Sequence, residues 1–392
     1  MKRFIFSAIA LAVATSACTE SGIIETPDTY SNPLVFDTYI GKSPVSKAVD
    51  SDLTYLQEGN VPGLKLYAFK SDVGNTNSDY VDYSSSYLDG ELQYNNAWIY
   101  SEGDKPVDAY MPSGKDLAFA SYNLAASSCI ENPTSTGFDF VIEPNMANQV
   151  DLLVTPLTFV TETAGKDTPV SLHFYHLLSR IGFKILSTGG NADIKINTIN
   201  VRGKFPNAGH VNMKLVTSVE TKRPEIAPIT NRVVEGSIYN TEGYSFFSNN
   251  QGFIISCKQC NSEKGAQQIT QDDSGNHYMM IIPGKVENLL DTEDVDNDGN
   301  RTEEIIAPYI EVKYQLGTVE KIEDWDKIEE KTAKVPLAVN KGTEAAPKWE
   351  NWIFEAGKAY EFIFKITTAT IEFSATVVEG GWEEQPSTEH PL

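Results

Sequence analysis

Apolar and polar residues alternate with a period of two along most of the chain. The alternating segments are rich in β-branched and aromatic residues and comprise Gly63–Phe69, Val170–His176, Ile181–Leu186, Ile194–Ile199, Tyr309–Tyr314 and Tyr360–Ile366. A period of two predicts β-strands that turn one face towards a core. Clusters of Gly, Asn, Asp and Pro separate these segments, as turns do. The pattern therefore predicts an all-β protein built from sandwiches.

Few stretches have helical spacing. The segment Asp324–Lys334 is compatible with a short helix or turn, although its charge is equally typical of a solvated loop.

The length of 392 residues predicts two compact domains, since a single domain usually spans about 100–200 residues. The polar stretch Lys166–Pro169 ends in a breaker and precedes a new set of strands. We therefore place an N-terminal β-sandwich domain at residues 33–166 and a C-terminal β-sandwich domain at residues 167–392.

The first residues have the order of an export signal. Two basic residues precede a short apolar run, and the small residues Thr15–Ala17 follow, which predicts a signal peptide at residues 1–17. Cys18 comes next, and this order resembles a bacterial lipoprotein signal in which the cysteine is acylated. A plain secretory signal with an incidental cysteine is the alternative. Residues 18–32 are rich in Thr, Ser, Glu, Pro and Gly, as a lipidated tether would be.

Charge and hydropathy exclude several classes of function. Lys and Arg number 31 against 54 Asp and Glu, a net charge of −23, which disfavours binding to nucleic acid phosphates or to an anionic membrane surface. Beyond the first seventeen residues, no apolar run approaches the ~18 residues that cross a bilayer. The sequence thus indicates neither a nucleic-acid-binding nor a multi-span membrane protein.

Cysteine usage does not indicate a disulfide scaffold. Apart from Cys18, the chain contains Cys129, Cys257 and Cys260, and an odd number cannot pair completely within one chain. Cys257 and Cys260 have the spacing of a redox or metal pair, but they lie in a strand-like context without a second ligand pair. A local disulfide or two unpaired thiols are the simpler interpretations.

No enzyme signature stands out. The chain lacks the Gly-x-Ser-x-Gly, Gly-x₄-Gly-Lys-[Ser/Thr] and His-Glu-x-x-His motifs, and its five histidines form no constellation. His173 and His176 are three apart on a predicted strand, so they point to opposite faces and are poorly placed for one metal. The sequence contains many carboxylates, so a glycosidase-like pair among them is still an alternative, but no feature singles out two of them. We expect neither catalysis nor a required cofactor.

An acidic segment resembles the first half of a calcium-binding loop. The candidate ligands are Asp294, Asp296, Asp298 and Asn300. Oxygen ligands two residues apart with a glycine at the turn suit Ca²⁺, as at the start of an EF-hand loop. The residue at loop position twelve is Ile305, and the flanks are strand-like. A Ca²⁺ site and a solvated acidic hairpin loop are therefore both open.

A dense run of aromatic residues in the first half is the remaining candidate for binding. It comprises Tyr80, Tyr83, Tyr87, Tyr94, Trp98 and Tyr100. Exposed rings of this kind stack on sugars. Alternating packing inside the first sandwich accounts for most of them.

An ordered set of segments carries a family resemblance. The segments are Ser46–Ala48, Leu64–Phe69, Trp98, Leu117–Tyr122, Asp151–Leu153, Val170–Ile181, Tyr278–Pro283, Trp352–Ile366 and Ile371–Trp382. The most specific piece pairs Asp151–Leu153 with Val170–Ile181, in the form "DLL" followed by "F-x-H-x-x-S-[RK]-[IVL]". In this order they resemble the fimbrillin (type V pilin) family of Bacteroidales-type bacteria, with its fimbrillin-like surface lipoproteins.

The resemblance implies two transthyretin-like β-sandwich domains in tandem, a lipid anchor in the cell outer membrane, and partners in a pilus. In polymerising members, a protease cuts after an Arg near the first strand and removes it, and a strand of the next subunit fills the groove. Lys47 stands at that position here and is the processing candidate. An Arg-specific cut is not available at this site.

The ends of the chain modify this expectation. One face of a candidate first strand is formed by Leu34, Phe36, Thr38 and Ile40, which predicts that the segment fills the groove of its own chain. The tail Glu383–Leu392 contains two prolines and two leading glutamates, which make it a poor donor strand. We expect the first strand to stay in place and the isolated protein to be monomeric.

These inferences predict a non-catalytic, lipid-anchored surface subunit that contributes to pili as anchor, tip or accessory protein, or to cell adhesion through a host or bacterial ligand. The alternative is a surface lipoprotein that binds glycans for a nutrient-uptake system.

Overall fold

The structure is a computed structural model that describes residues 33–40, 63–143, 148–162, 169–187, 193–214, 224, 226–229, 239–240, 244–255, 265–269, 278–291, 304–317, 322–341, 343, 346, 348–366, 371–378 and 388–391. Strands dominate these ranges, which confirms the all-β prediction. Short 3₁₀ helices lie at Ser78–Tyr80, Leu124–Cys129 and Ile322–Lys327. No helix in the described part of the chain is long and apolar enough to cross a membrane.

The strands of the first half are β1 (Phe36–Ile40), β2 (Leu64–Ser71), β3 (Leu88–Tyr94), β4 (Trp98–Glu102), β5 (Lys105–Pro106), β6 (Asp116–Asn123), β7 (Ile130–Thr134), β8 (Gly137–Val141), β9 (Leu153–Val154), β10 (Thr158–Val160), β11 (Val170–His176), β12 (Ser179–Ser187), β13 (Asp193–Arg202), β14 (Phe205–Pro206) and β15 (Ala208–Asn212). Those of the second half are β16 (Ile226–Pro228), β17 (Tyr239–Asn240), β18 (Tyr244–Ile255), β19 (Gln267–Gln268), β20 (Tyr278–Ile281), β21 (Gly284–Lys285), β22 (Leu289–Asp291), β23 (Glu304–Ile306), β24 (Tyr309–Gly317), β25 (Lys331–Pro336), β26 (Ala338–Asn340), β27 (Trp349–Asn351), β28 (Ile353–Phe354), β29 (Ala359–Ile366), β30 (Ile371–Val378) and β31 (Thr388–Pro391).

The largest sheet has the strand order β1-β11-β9-β6-β2-β3-β4-β5, and β10 also pairs with β6. Its central strand β6 is buried along its whole length. Leu117 and Phe119 of this strand pack into one core, and Ala118 and Tyr122 pack into another. A strand that is covered on both faces needs apolar residues on both, which explains the nearly continuous apolar run.

Three hydrophobic cores occupy the spaces on and between the sheets. The first core lies on one face of the large sheet and takes residues from β1, β2, β3, β4, β6, β9 and β11. The second joins the large sheet to the sheet β16-β15-β8-β7. The third joins the sheet β19-β12-β29-β30-β31, in which β12 also pairs with β20, to the sheet β18-β13-β24-β25. This layering agrees with sandwich packing.

Four short pairs complete the described topology: β14 with β17, β21 with β28, β22 with β23, and β26 with β27. The segment Asp324–Lys334, for which the sequence allowed a helix, a turn or a loop, contains two kinds of structure. It begins within the 3₁₀ helix Ile322–Lys327 and ends in β25. The Gln315 amide nitrogen donates to the carbonyls of Trp325 (2.8 Å) and Ile328 (2.6 Å), which fixes the helix on β24.

The division into domains at residues 166/167 stays a prediction. Strand β11 lies beyond that point, yet it pairs with β1 and β9 of the large sheet. Strand β12 follows after only Leu177 and Leu178, and it pairs with β20 and β29 in a different sheet.

Candidate functional site

The first strand, defined as residues 33–40, is held in the large sheet by backbone bonds at its start and along its length. Leu34 N donates to Ala109 O (2.7 Å), and Val170 N donates to Val35 O (2.6 Å). Strand β1 then runs parallel to β11, with Phe36 opposite Val170 and Ile40 opposite Phe174. A five-residue edge strand thus pairs with a strand far from it in sequence.

The inward face of the first strand belongs to the first core. Leu34, Phe36, Thr38 and Ile40 are all buried, which confirms the predicted shared face. The ring of Phe36 meets that of Phe119 of the central strand edge-on, with centroids 6.0 Å apart. The chain itself therefore fills the groove on this side of the large sheet.

One polar group in this face has no partner among the described residues. The Thr38 hydroxyl is fully buried, and no hydrogen-bonding group of the described part of the chain reaches its Oγ1 atom. A buried hydroxyl without a partner costs about 1–3 kcal/mol relative to a satisfied one. The first strand therefore stabilises the fold less than it would with an apolar side chain at position 38.

We expect Thr38→Val to raise the free energy of unfolding by about 1 kcal/mol, because the substitution removes the unpaired hydroxyl and keeps a branched side chain. Urea unfolding measures the change. Thr155→Val is the matched control, because the buried Thr155 Oγ1 accepts from Ser121 N (2.9 Å), and this variant should lose stability instead. Equal effects of the two substitutions would contradict the assignment.

The outward face of the first strand carries a stack of rings. Tyr39 lies against His173 with centroids 4.3 Å apart, and His173 lies against Tyr175 at 4.2 Å. The Tyr175 hydroxyl is 3.1 Å from His173 Nδ1. Burial, and next the negative charge of Asp37, raise the pKa of Tyr39, so the ring stays neutral in the stack. The stack joins β1 to β11 on the solvent side.

The "DLL" and "F-x-H" segments meet in a buried hydrogen-bonded pair. Asp151 Oδ2 contacts His176 Nδ1, and both side chains are about nine-tenths buried. The backbone around them is fixed as well, since Asn123 Nδ2 donates to Asp151 O (2.9 Å) and Leu153 N donates to Asn123 Oδ1 (2.9 Å). His173 and His176 thus face opposite sides of β11, as predicted, and each has a structural contact.

The rest of this segment passes from the large sheet to the next one. Leu177 and Leu178 are fully buried in the second core. Ser179 Oγ then donates to Glu355 O (2.7 Å), and the Arg180 guanidinium lies 4.1 Å from the centroid of the Tyr278 ring. The signature therefore marks the place where two sheets are joined, which sequence reasoning had not recognised.

Several predicted site residues lie outside the described residues: Cys18, Lys47, Asp294, Asp296, Asp298, Asn300, Cys257 and Cys260. For the acidic loop, the structure describes only the flanks. These are the paired strands β22 and β23, in which Asp291 is opposite Glu304. Among the described side chains, no group of three or more His, Cys, Asp or Glu is placed to hold a metal. Cys129 is a buried free thiol.

The aromatic run divides by burial. Trp98 and Tyr100 are buried in the first core, and Gly90 leaves the room for the Tyr100 ring, since a Cβ there would lie 2.6 Å from it. Tyr80 and Tyr94 are the members more than one third exposed. Packing therefore explains the burial of Trp98 and Tyr100 in this run.

Comparison with known proteins decides the family. A sequence model of the family described as "Fimbrillin-like" matches residues 48–380. The chain belongs to the fimbrillin-like family. No curated protein matches it.

Solved structures resemble this fimbrillin-like chain at low sequence identity. A fimbrial protein from Bacteroides vulgatus is 13% identical with a TM-score of 0.49, and the match covers 92% of this chain and 99% of that one. A "putative cell adhesion protein" from Bacteroides ovatus is 12% identical with a TM-score of 0.43, and the match covers 91% of this chain and 99% of that one. A fimbrial assembly protein from Parabacteroides distasonis is 8% identical with a TM-score of 0.35 (92% and 99% covered).

Membership in the fimbrillin-like family supports a fimbrial or adhesive role at the cell surface. It also suggests that the protein has a structural role and not an enzymatic one. The groove filled by the first strand is the part of the described structure most closely connected with that role, because subunits that polymerise through strands do so at such a groove.

Proposed function

We propose that this fimbrillin-like protein is a lipid-anchored surface subunit that keeps its own first strand and acts as an anchor, tip or accessory subunit or as an adhesin. The observation that carries the proposal is the burial of Leu34, Phe36 and Ile40 in the first core of the same chain. A groove filled in this way offers no vacancy to a strand from another subunit.

The other end of the chain supports the same proposal. Residues Thr388–Pro391 form β31, which pairs antiparallel with β30 of the same chain. A tail that is paired at its own sheet edge must first leave that edge before it can be donated. Its two prolines remove backbone donors that a donated strand would need.

Proteolysis of the purified mature protein tests the proposal. We expect an Arg-specific protease to leave the protein monomeric, because no arginine lies between Arg3 and Arg180. We expect a Lys-specific protease to produce no filaments in electron micrographs, since the first strand remains in its groove. Filaments formed after a Lys-specific cut, and prevented by Lys47→Gln, would assign the protein to the shaft instead.

We expect Cys18 to carry lipid. A Cys18→Ser variant should lose the acyl mass and move from the detergent phase to the aqueous phase in phase-separation assays, because one or more acyl chains supply the membrane affinity. A Cys129→Ser variant is the matched control and should partition like the parent. An unacylated mature protein, or unchanged partitioning of Cys18→Ser, would contradict the lipid anchor.

We also expect weak Ca²⁺ binding by the loop that contains Asp294, Asp296, Asp298 and Asn300. Loops of this type outside the cytoplasm bind with a Kd of about 10⁻⁴–10⁻³ M, so Ca²⁺ at about ten times Kd should stabilise the fold by about 1–2 kcal/mol. Thermal melts with Ca²⁺, with Mg²⁺ and with an Asp296→Asn variant measure the effect. Unchanged melting at millimolar Ca²⁺ would make the segment a plain acidic hairpin loop.

A further inference from the structure

A tryptophan and an isoleucine, four residues apart on one extended run, are both exposed on a strip of surface above the third core. The strip, called the Trp349 strip here, consists of Trp349, Asn351, Ile353, Lys285 and Asn288. Trp349 is 55% exposed and Ile353 is 57% exposed. Both side chains are therefore in contact with water and not with the core.

Strand pairing fixes the direction of these side chains. The extended run 349–354 is bonded on both sides, since Trp352 N donates to Leu337 O (3.0 Å) and Val286 N donates to Trp352 O (3.1 Å). Alternate residues of the run face opposite ways. Trp352 and Phe354 are buried in the third core, so Trp349 and Ile353 are directed to solvent by a rigid strand.

Core packing does not explain Trp349. The other tryptophans in the described part of the chain, Trp98, Trp325 and Trp352, are each less than 10% exposed. Tryptophan is strongly buried on average because its large ring gains much from leaving water. An indole held in water on a rigid strand therefore points to a binding role.

Polar groups beside the indole are held in place as well. Asn351 Nδ2 donates to Val286 O (3.0 Å) and to Asn288 Oδ1 (2.7 Å). Among the described contacts, these bonds leave the side-chain oxygen of Asn351 available as an acceptor and the side-chain nitrogen of Asn288 available as a donor. The strip thus combines an apolar ring with oriented amides.

Three lysines and two glutamates, Glu287 and Glu350, surround the strip. Lys285 is exposed opposite Ile353 on the neighbouring strand, and Lys341 and Lys348 flank the Trp349 end. Lys348 hydrogen-bonds Glu350 (2.8 Å) and, with the fields of Lys341 and Lys285, lowers the pKa of that carboxyl. On a protein of net charge −23, this small local excess of lysines, with Lys285 beside Ile353, favours an anionic ligand.

We infer that the Trp349 strip binds an acidic glycan, a saccharide chain whose rings carry carboxylate or sulfate groups. The apolar C–H face of a sugar ring packs on the indole, its hydroxyls exchange hydrogen bonds with Asn288 and Asn351, and its anionic groups pair with Lys285. The inference does not depend on whether the first strand stays in its groove, because the strip lies on a different sheet.

A glycan fits the strip better than a protein partner does. A stable protein interface takes about 20–30 residues from each side, with several apolar anchors at its centre. The Trp349 strip has two large apolar side chains in a narrow row. A row of one ring, two amides and lysines matches the alternation of apolar faces and hydroxyls along a sugar chain.

Binding to defined polysaccharides tests the inference. The full chain, in detergent, is titrated with polygalacturonate, chondroitin sulfate and heparin, and with neutral dextran and mannan. Affinity electrophoresis and tryptophan fluorescence report binding. We expect at least one acidic polysaccharide to bind tighter than dextran, to shift the emission of the exposed indole, and to bind more weakly as salt is added.

Variants locate the site. Trp349→Ala should weaken binding at least about tenfold, Trp349→Phe should retain most of it, and Lys285→Gln should weaken only the acidic polysaccharides. Tyr80→Ala, which removes a ring of similar exposure elsewhere, is the control and should bind like the parent. No preference for acidic polysaccharides, or equal binding by Trp349→Ala, would overturn the inference. A dimer that Trp349→Ala abolishes in sedimentation would overturn it too.

Discussion

Phe36→Ala is expected to lower the free energy of unfolding by about 3–5 kcal/mol, as other truncations of buried phenylalanines do. The Phe36 side chain is 5% exposed, and its ring contacts Phe119 in the middle of the large sheet. Loss of the ring leaves a cavity beneath a five-residue edge strand. The variant should therefore also release the first strand more often than the parent does.

Two measurements separate these effects. Urea unfolding gives the loss of stability, and hydrogen exchange of the β11 amides reports opening of β1, because Val170 N donates to Val35 O. Val35→Ala is the control on the same strand, since Val35 is 57% exposed and its substitution should cost less than about 0.5 kcal/mol. A Phe36→Ala variant as stable as Val35→Ala would mean that the first strand contributes little to the first core.

Asp151→Ala is expected to cost about 3 kcal/mol, because it removes a buried hydrogen-bonded carboxyl group and leaves the His176 imidazole without that contact. The pair lies where β9 meets β11, so its loss should also loosen the strand on which the first strand is paired. Denaturant unfolding of both single variants and of the double variant with His176→Leu gives the coupling energy.

The chain offers a matched control for this prediction. Asp139 Oδ1 and His210 Nδ1 form the same kind of pair at 2.8 Å, but the His210 side chain is 53% exposed. Exposed pairs contribute at most about 1 kcal/mol, so Asp139→Ala should be mild. If both aspartate substitutions cost the same, the Asp151–His176 pair has no special structural role, and the resemblance to the family signature has another cause.

Local patterns predicted the strands well. The alternation at Val170–His176 gave a strand with the bounds of β11, and the shared face of Leu34, Phe36 and Ile40 gave the inward face of β1. Such predictions succeed because the period-two pattern follows from burial of one face. The burial of Trp98 and Tyr100 follows from the same alternation.

Pairing between distant strands could not be predicted. Nothing in residues 33–40 indicates that they run parallel to β11, or that β11 belongs to the large sheet although it follows the polar stretch at Lys166–Pro169. Register depends on contacts across the whole sheet, which local alternation does not contain. The Asp151–His176 pair and the exposure of Trp349 also depend on strand pairing, so local alternation did not predict them.

Crosslinking of the first strand to β11 is the most direct test of the claim that the protein fills its own groove. Asp37 lies opposite Ser171, and both are exposed. An Asp37→Cys/Ser171→Cys variant is treated with a short bifunctional maleimide, with each single cysteine variant as control. We predict rapid crosslinking within one chain that keeps the monomer mass. Covalent dimers and longer ladders, or no crosslink at all, would contradict a first strand that stays in its own chain.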